Sequence, residues 1–332
     1  MPKEAGALKY AAIPYTDLVA SPICLGTSPI GSRLKEEESF RLLDLFVELG
    51  GNFLDSSHNY ADWACEVKSI SEKTIGKWMK ARGNRSRIIV GTKGACPSGE
   101  RFFRLTRDEI MHDLHGSLQN LQTDCIDLYW LHRDDPTVPV EQILEILLDA
   151  ADAGKIRHFA CSNWSLPRIR EAQSIAAEKG KPGFCASQIM WSLAQPNTDN
   201  MSDKTIVVMD EETKRYHAEA GMAQVPFSSQ AGGFFGGRYN REDAGEGRKP
   251  TSVGKVYFNE TNFGRLDRVR EVASRLNASP SEVALAYLFA QPFPVFPIIG
   301  SHTPEQLTDS CKAGDLRLDE RTALYLETGR LE

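Results

Sequence analysis

Three stretches of this chain end an apolar run on a residue able to do acid–base chemistry. Phe53-Leu54 runs into Asp55, with Tyr60 shortly beyond; Ile88-Ile-Val-Gly-Thr-Lys93 ends on a lysine; Ile126-Asp-Leu-Tyr-Trp-Leu-His132 ends on a histidine. A buried strand that stops on a polar residue delivers that residue at its C-terminal end. On one common rim, these strand ends bring together a carboxylate, a phenol, an ammonium and an imidazole. A free phenol titrates near pH ~10 and is a sluggish proton donor at neutrality. An ammonium held beside it favours the phenolate and lowers that pKa, while an aspartate keeps the lysine charged and aimed. A neutral imidazole then orients a carbonyl whose oxygen gains negative charge as hydride arrives at carbon. Singly, Asp55 is a hydrogen-bond acceptor, Lys93 a loop lysine and His132 an interior histidine. Their joint appearance at successive strand ends is what points to chemistry.

The elements that must position them alternate. A hairpin over Leu8 to Leu18 turns at Pro14-Tyr15-Thr16-Asp17. A first buried strand, Ile23 to Gly26, precedes a helix from Glu36 to Leu49 with Phe40, Leu43 and Val47 at helical spacing. Helix from about Ser69 to Ala81 and strand from Arg87 to Thr92 follow; Thr106-Arg-Asp-Glu109 is a capping box ahead of a stripe of Ile110, Leu114, Leu118 and Leu121. Beyond the His132 strand come a helix from Val140 to Ala153, strand His158 to Ser162, a helix after Ser165, and strand Phe184 to Met190. Helix Glu211 to Glu219, strand Ala223 to Phe227, strand Pro294 to Ile299 and helix Pro304 to Lys312 complete the series. Such alternation demands parallel strands with right-handed crossovers, and eight units close into a (β/α)8 barrel with active-site residues at the strand C-termini. Gly26-Thr-Ser-Pro-Ile-Gly31 lacks the glycine spacing of a Rossmann turn. The glycine- and charge-rich stretch Gly232 to Pro250 reads as a loop over the barrel mouth, so residues 1–332 form one domain.

Composition agrees with an ordinary globular chain: 332 residues, 41% hydrophobic, 25% charged. A net charge of -6 offers no field for nucleic acid or an anionic membrane. No apolar run approaches the roughly 18 residues of a spanning helix, and Met1 to Gly6 lacks a signal-peptide core. The cysteines, Cys24, Cys65, Cys96, Cys125, Cys161, Cys185 and Cys311, are odd in number and scattered, which reads as buried thiols in a reducing, cytoplasmic setting. His112 and His115 share a helix face without a third ligand nearby, so no metal is expected.

The sequence resembles the aldo-keto reductase family through Asn52-Phe-Leu-Asp55 with Tyr60, Val90-Gly-Thr-Lys93, Tyr129-Trp-Leu-His132, Cys161-Ser-Asn163, Gln188, and Pro297-Ile-Ile-Gly-Ser301 with Gln306 and Asp309. The resemblance implies a barrel that binds NADPH or NADH extended across its C-terminal rim. It implies Tyr60 as general acid, Lys93 and Asp55 as the groups that tune it, and His132 as the group that orients substrate. Ser162, Asn163 and Gln188 match positions holding the nicotinamide carboxamide, and Phe227 one that stacks under its ring. Ser228, Gln230 and Gly232 match the pyrophosphate loop, although the chain reads Phe-Ser-Ser-Gln-Ala-Gly where many relatives have Tyr-Ser-Pro-Leu-Ala. Thr27, Gly300, Ser301, His302, Gln306, Asp309 and Ser310 complete the implied cofactor set. His302 stands where NADPH-selective relatives offer Lys or Arg, and a mostly neutral imidazole grips a 2'-phosphate less well, so both dinucleotides stay open.

For substrate, Trp63 and Trp191 are candidate pocket walls, and His58, Arg133 and Asp134 suit a hydroxylated small molecule such as a sugar or polyol. The expected activity is interconversion of a carbonyl and an alcohol. Two rivals use the same residues: an aldolase with Lys93 as Schiff-base nucleophile, and a cofactor-binding regulatory protein of the same fold.

Overall fold

The computed structural model describes residues 8–98, 103–244 and 251–330. The reading of Met1 to Gly6 and the end of the Gly232–Pro250 loop lie outside them. The chain opens with strands β1 (Ala11–Ala12) and β2 (Val19–Ala20). There follow β3 (Cys24–Gly26), α1 (Glu36–Glu48), β4 (Phe53–Asp55), α2 (Ile70–Arg82), β5 (Ile89–Gly94), α3 (Arg107–Leu121), β6 (Ile126–Leu131) and α4 (Val140–Asp152). Next come β7 (Ile156–Ser162), α5 (Leu166–Glu178), β8 (Ala186–Gln188), α6 (Glu211–Ala220) and β9 (Ala223–Gln224). Helices α7 (Ser252–Tyr257), α8 (Glu260–Leu276) and α9 (Pro280–Phe289) precede β10 (Ile298–Ile299), α10 (Pro304–Lys312) and α11 (Glu320–Thr328).

Strands β3 to β10 form one eight-stranded sheet in the order β10-β3-β4-β5-β6-β7-β8-β9, all pairs parallel. Phe296 N donates to Gln224 O at 2.8 Å and Ile298 N to Pro226 O at 2.9 Å, which joins the two outer strands of that order and closes the ring. This is the expected (β/α)8 fold. The sheet separates two apolar clusters. Ile13, Leu18, Phe53, Ile89, Leu128, Trp130, Ala160, Ala186 and Phe296 fill the interior, while Leu54, Val90, Tyr129, Leu131, Phe159 and Cys161 pack outward with the helices. The alternation along each strand is the period of two that a pleated backbone imposes.

Several boundaries differ from the sequence expectation. The hairpin pairs Ala11 with Ala20 and Ala12 with Val19, so its second strand starts where the expected one ends. Strands β9 and β10 are short because Pro226, Pro294 and Pro297 have no N–H to give the ladder. Residues 252–289, to which the sequence reading assigns no element, form α7 to α9, and α11 adds a last helix. Among the described residues no helix is long and apolar enough to cross a membrane.

Candidate active site

Strand parity aims the chemistry. Asp55 follows inward-facing Phe53 by two, Lys93 follows Ile89 by four, Ser162 follows Ala160, Gln188 follows Ala186, and His132 follows Trp130. All therefore point along the barrel axis at the C-terminal ends of their strands. The register brings them level, with Lys93 beside Trp130 and Ser162 beside Gln188. Backbone bonds extend the ladder into the loops: His58 N donates to Lys93 O at 2.9 Å and His132 N to Gly94 O at 3.0 Å.

The four expected chemical groups meet. Lys93 Nζ donates to Asp55 Oδ2 at 2.6 Å, to Ser56 O at 2.8 Å and to Tyr60 OH at 3.0 Å, which uses all its hydrogens. Gln188 Nε2 donates to Asp55 Oδ1 at 3.0 Å, so the carboxylate is held from both oxygens. The rings of Tyr60 and His132 stand edge to face with centroids 6.3 Å apart. Burial works against the Lys93 ammonium, but the Asp55 carboxylate and the Tyr60 oxygen outweigh it and raise its pKa. Burial pushes the Asp55 carboxyl up, with the Lys93 charge and the hydrogen bonds from Lys93 and Gln188 pulling it back. For Tyr60 the balance corrects the sequence expectation of a lowered pKa: burial raises it by more than Lys93 lowers it, so the phenol keeps its proton. Burial, then the charges of Lys93 and Arg133, drive the His132 pKa far below its usual value and leave a neutral imidazole.

From Tyr60 a cleft of about 850 Å³ runs outward past Phe227, Ser228, Gln230 and Gly232, then Gly300, His302, Gln306, Asp309 and Ser310. Most of the expected cofactor residues therefore share one groove. Gln230 Nε2 donates to Ser310 Oγ at 3.0 Å, linking the loop after β9 to α10, and His302 N donates to Gln306 Oε1 at 2.9 Å, tying the loop after β10 to the first turn of α10. Gly232 and Gly233 adopt φ of +61° and +83°, a left-handed turn that glycine makes without penalty and that leaves backbone exposed to a ligand. Asn163, with φ of 56°, has its side chain engaged by Ser162 Oγ and Val207 N, both at 3.1 Å. Thr27 is a correction: its hydroxyl is buried on Asp55 O and Ser71, and Gly26 and Ser28 line the groove instead. Ser301 sits between two lining residues, its hydroxyl buried and without a hydrogen-bond partner.

Arg238, absent from the sequence reading, lines the same groove and has no acidic partner among the described residues. An arginine closing the run Gly232-Gly-Phe-Phe-Gly-Gly237 was the available signal, since glycines let backbone approach an anion and a guanidinium holds it. A groove with a glycine turn, an unpaired guanidinium, an orphaned hydroxyl and hydroxyl-rich walls fits a long anionic ligand such as a dinucleotide. Among the described residues no cluster of His, Cys, Asp and Glu could hold a metal ion.

The expected substrate residues separate. Trp63 is 69% exposed and stands edge to face with Tyr60, centroids 6.4 Å apart. His58 turns outward between α2 and α3, its Nδ1 3.4 Å from buried Glu72 and 3.4 Å from Ser117 Oγ. Arg133 is held by Asp203 at 2.8 Å and Thr205 at 3.0 Å; Asp134 is held by Arg168 at 2.9 Å. Trp191 packs on Phe293 at 5.8 Å and Tyr287 at 6.3 Å, away from the groove that Tyr60 lines.

Comparison with known proteins agrees with this architecture. A crystallised thermostable aldo-keto reductase, Tm1743, solved with the inhibitor epalrestat, superposes with a TM-score of 0.72 over 97% of this chain and 99% of that one at 20% identity, which speaks for the fold. The uncharacterized oxidoreductase YrpG of Bacillus subtilis is 29% identical over 320 residues, 94% of this chain and 93% of that protein. An NADP(+)-linked aryl-alcohol dehydrogenase of Phanerodontia chrysosporium is 29% identical over 343 residues, 94% of this chain and 83% of that protein. Residues 22–328 match the Aldo/keto reductase family. The chain belongs to that family and is an NAD(P)-dependent oxidoreductase.

Proposed function

We propose that the protein interconverts an aryl carbonyl compound and its alcohol, with Tyr60 as the proton donor for reduction. The observation that carries this is the chain Gln188–Asp55–Lys93–Tyr60, ending in a protonated phenol at the inner end of the groove. The chemistry that a reduced nicotinamide would supply when bound is hydride to the carbonyl carbon. Tyr60 gives its proton to the oxygen as charge develops there, and Lys93, held by Asp55, stabilises the phenolate left behind. Neutral His132 donates to the same oxygen and orients it. Ser162, Asn163 and Gln188 would hold the carboxamide, Phe227 would pack on the ring, and Gly232, Arg238 and Ser301 would take the phosphates. Arg238 supplies the cation that His302 does not, which favours NADPH.

The aromatic substrate is supported by Trp63, the exposed apolar face next to Tyr60, and by the likeness to the Phanerodontia relative, an aryl-alcohol dehydrogenase. A sugar or polyol would need uncommitted polar groups, and His58, Arg133 and Asp134 are all engaged elsewhere. On this reading residues 1–332 work as one catalytic domain in the cytoplasm. The test is NADPH and NADH oxidation with methoxybenzaldehydes and with aldoses, for wild type and Tyr60→Phe. Aryl aldehydes should be preferred, and the variant should bind dinucleotide normally while kcat falls at least about a hundredfold. A preference for aldoses, or an unimpaired variant, would refute the reading.

A further inference from the structure

His132 has an unusual neighbour. Its Nδ1 lies 2.7 Å from Cys96 Sγ and 3.3 Å from Ser57 Oγ. Ser57 has one proton, and its nearest acceptor is Asn59 Oδ1 at 3.0 Å. The Cys96 thiol has three possible acceptors, Lys93 O at 3.8 Å, Ser57 Oγ at 3.1 Å and His132 Nδ1 at 2.7 Å, and the imidazole is the nearest and, as a nitrogen lone pair, the strongest base of the three. Cys96 is 2% exposed, and burial above all pushes its pKa up to about 12, so it is a thiol and a donor. The segment is pinned: Ala95, at φ of 56°, donates its N–H to Asp113 Oδ2 at 2.9 Å, and Arg104 Nη1 donates to Cys96 O at 3.0 Å.

A neutral imidazole has one N–H, and the partner of one nitrogen decides the state of the other. We infer that Cys96 is a positioning residue: its thiol donates to Nδ1 of His132 and fixes the imidazole as the Nε2–H tautomer, which presents a donor to the substrate oxygen. Nothing among the described residues accepts from Nε2, and the ring stands edge to face with Tyr60. With the thiol removed, Nδ1 faces the Ser57 oxygen, which accepts as readily as it donates, and the opposite tautomer becomes available. That form turns a lone pair toward the substrate oxygen. The inference rests on His132 orienting the carbonyl, as proposed above, but its primary readout does not depend on activity.

The experiment is long-range 1H–15N NMR of protein labelled in its seven histidines, with His132 assigned by His132→Gln, on wild type, Cys96→Val and Cys96→Ser. Wild type should show a neutral Nε2–H pattern at His132, Cys96→Val a mixed or reversed pattern, and Cys96→Ser, which keeps a donor, the wild-type one. In parallel, kcat for an aryl aldehyde should fall roughly tenfold in Cys96→Val and recover in Cys96→Ser, with NADPH affinity and melting temperature unchanged. The loss should stay well short of the ~10⁴ seen when a general base is held in the wrong tautomer, since His132 orients rather than transfers the proton. An Nδ1–H pattern in wild type, or an unchanged pattern in Cys96→Val, overturns the inference. Failure of the functional reading would show separately, as normal turnover by Tyr60→Phe.

Discussion

At the N-terminal mouth of the barrel, Asp17 of the hairpin takes Arg157 and His158 at 2.7 Å each, with its side chain 69% exposed. At the C-terminal mouth, Asp55 takes Lys93 at 2.6 Å with its side chain 1% exposed. The contacts are of similar length, yet the carboxyls move in opposite directions. Hydrogen bonds from His158 and Arg157 hold Asp17 down to about 2, while burial pushes Asp55 up. At the closed end charge is also shared, since Arg157 reaches Asp127 and Asp127 takes Arg85, each at 2.8 Å. Partner distance therefore does not decide the direction in which a carboxyl shifts. Desolvation does, because burial penalises the charged form of Asp55 by more than its partners repay, while exposed Asp17 escapes most of that cost.

The largest break in that contrast should come from Lys93→Met. It strands the Asp55 carboxylate in the interior, and the expected loss is about 3–5 kcal/mol of stability, read as a lower urea midpoint, together with loss of turnover. Adding Asp55→Asn should restore part of the stability. No recovery in the double variant would show that the stranded charge is not the cause.

A smaller effect is expected along the groove. On the proposed phosphate role of Arg238, Arg238→Gln is expected to remove charge-assisted hydrogen bonds worth about 1.5–3 kcal/mol, which corresponds to a roughly 10- to 150-fold weaker Kd for NADPH. Fluorescence titration reads it, and equal affinity in wild type and variant would remove Arg238 from the phosphate site.

The smallest effect belongs to the exposed end, where Asp17→Asn should cost no more than about 1 kcal/mol. Its sign with pH is fixed. The folded pKa of about 2 lies below the ordinary 3.8, so the stabilisation is present above pH 3.8 and is lost as pH falls toward 2. Melting curves of wild type and variant should converge over that window. A gap that persists at pH 2 would assign the difference to packing rather than to charge.

Much of this was legible in the sequence, for specific reasons. The stripe of α3 and its Thr106–Glu109 capping box predict a helix that the structure starts at Arg107. The strands carrying Asp55, Lys93 and His132 stand out because each apolar run stops abruptly on a polar residue. Helix α9 escaped because Val283, Ala284, Leu285, Ala286 and Leu288 bury it on every side, leaving no apolar stripe. Helix α8 did carry a stripe, through Phe263, Leu266, Val269 and Val272, and an Asn259 cap.

Residue types and their spacing determined by themselves that strands and helices alternate, and that strand ends carry an acid, a base, a phenol and an imidazole. Those are local properties, set by side-chain period and turn chemistry. The tertiary structure alone decided which polar residues stay available: His58, Arg133 and Trp191 look as suitable for a pocket as Trp63, but each finds a partner distant in the chain. It also decided the direction of the Tyr60 shift and the pairing of Cys96 with His132. Burial and long-range contacts set both, and neither is written in the spacing of neighbours along the chain.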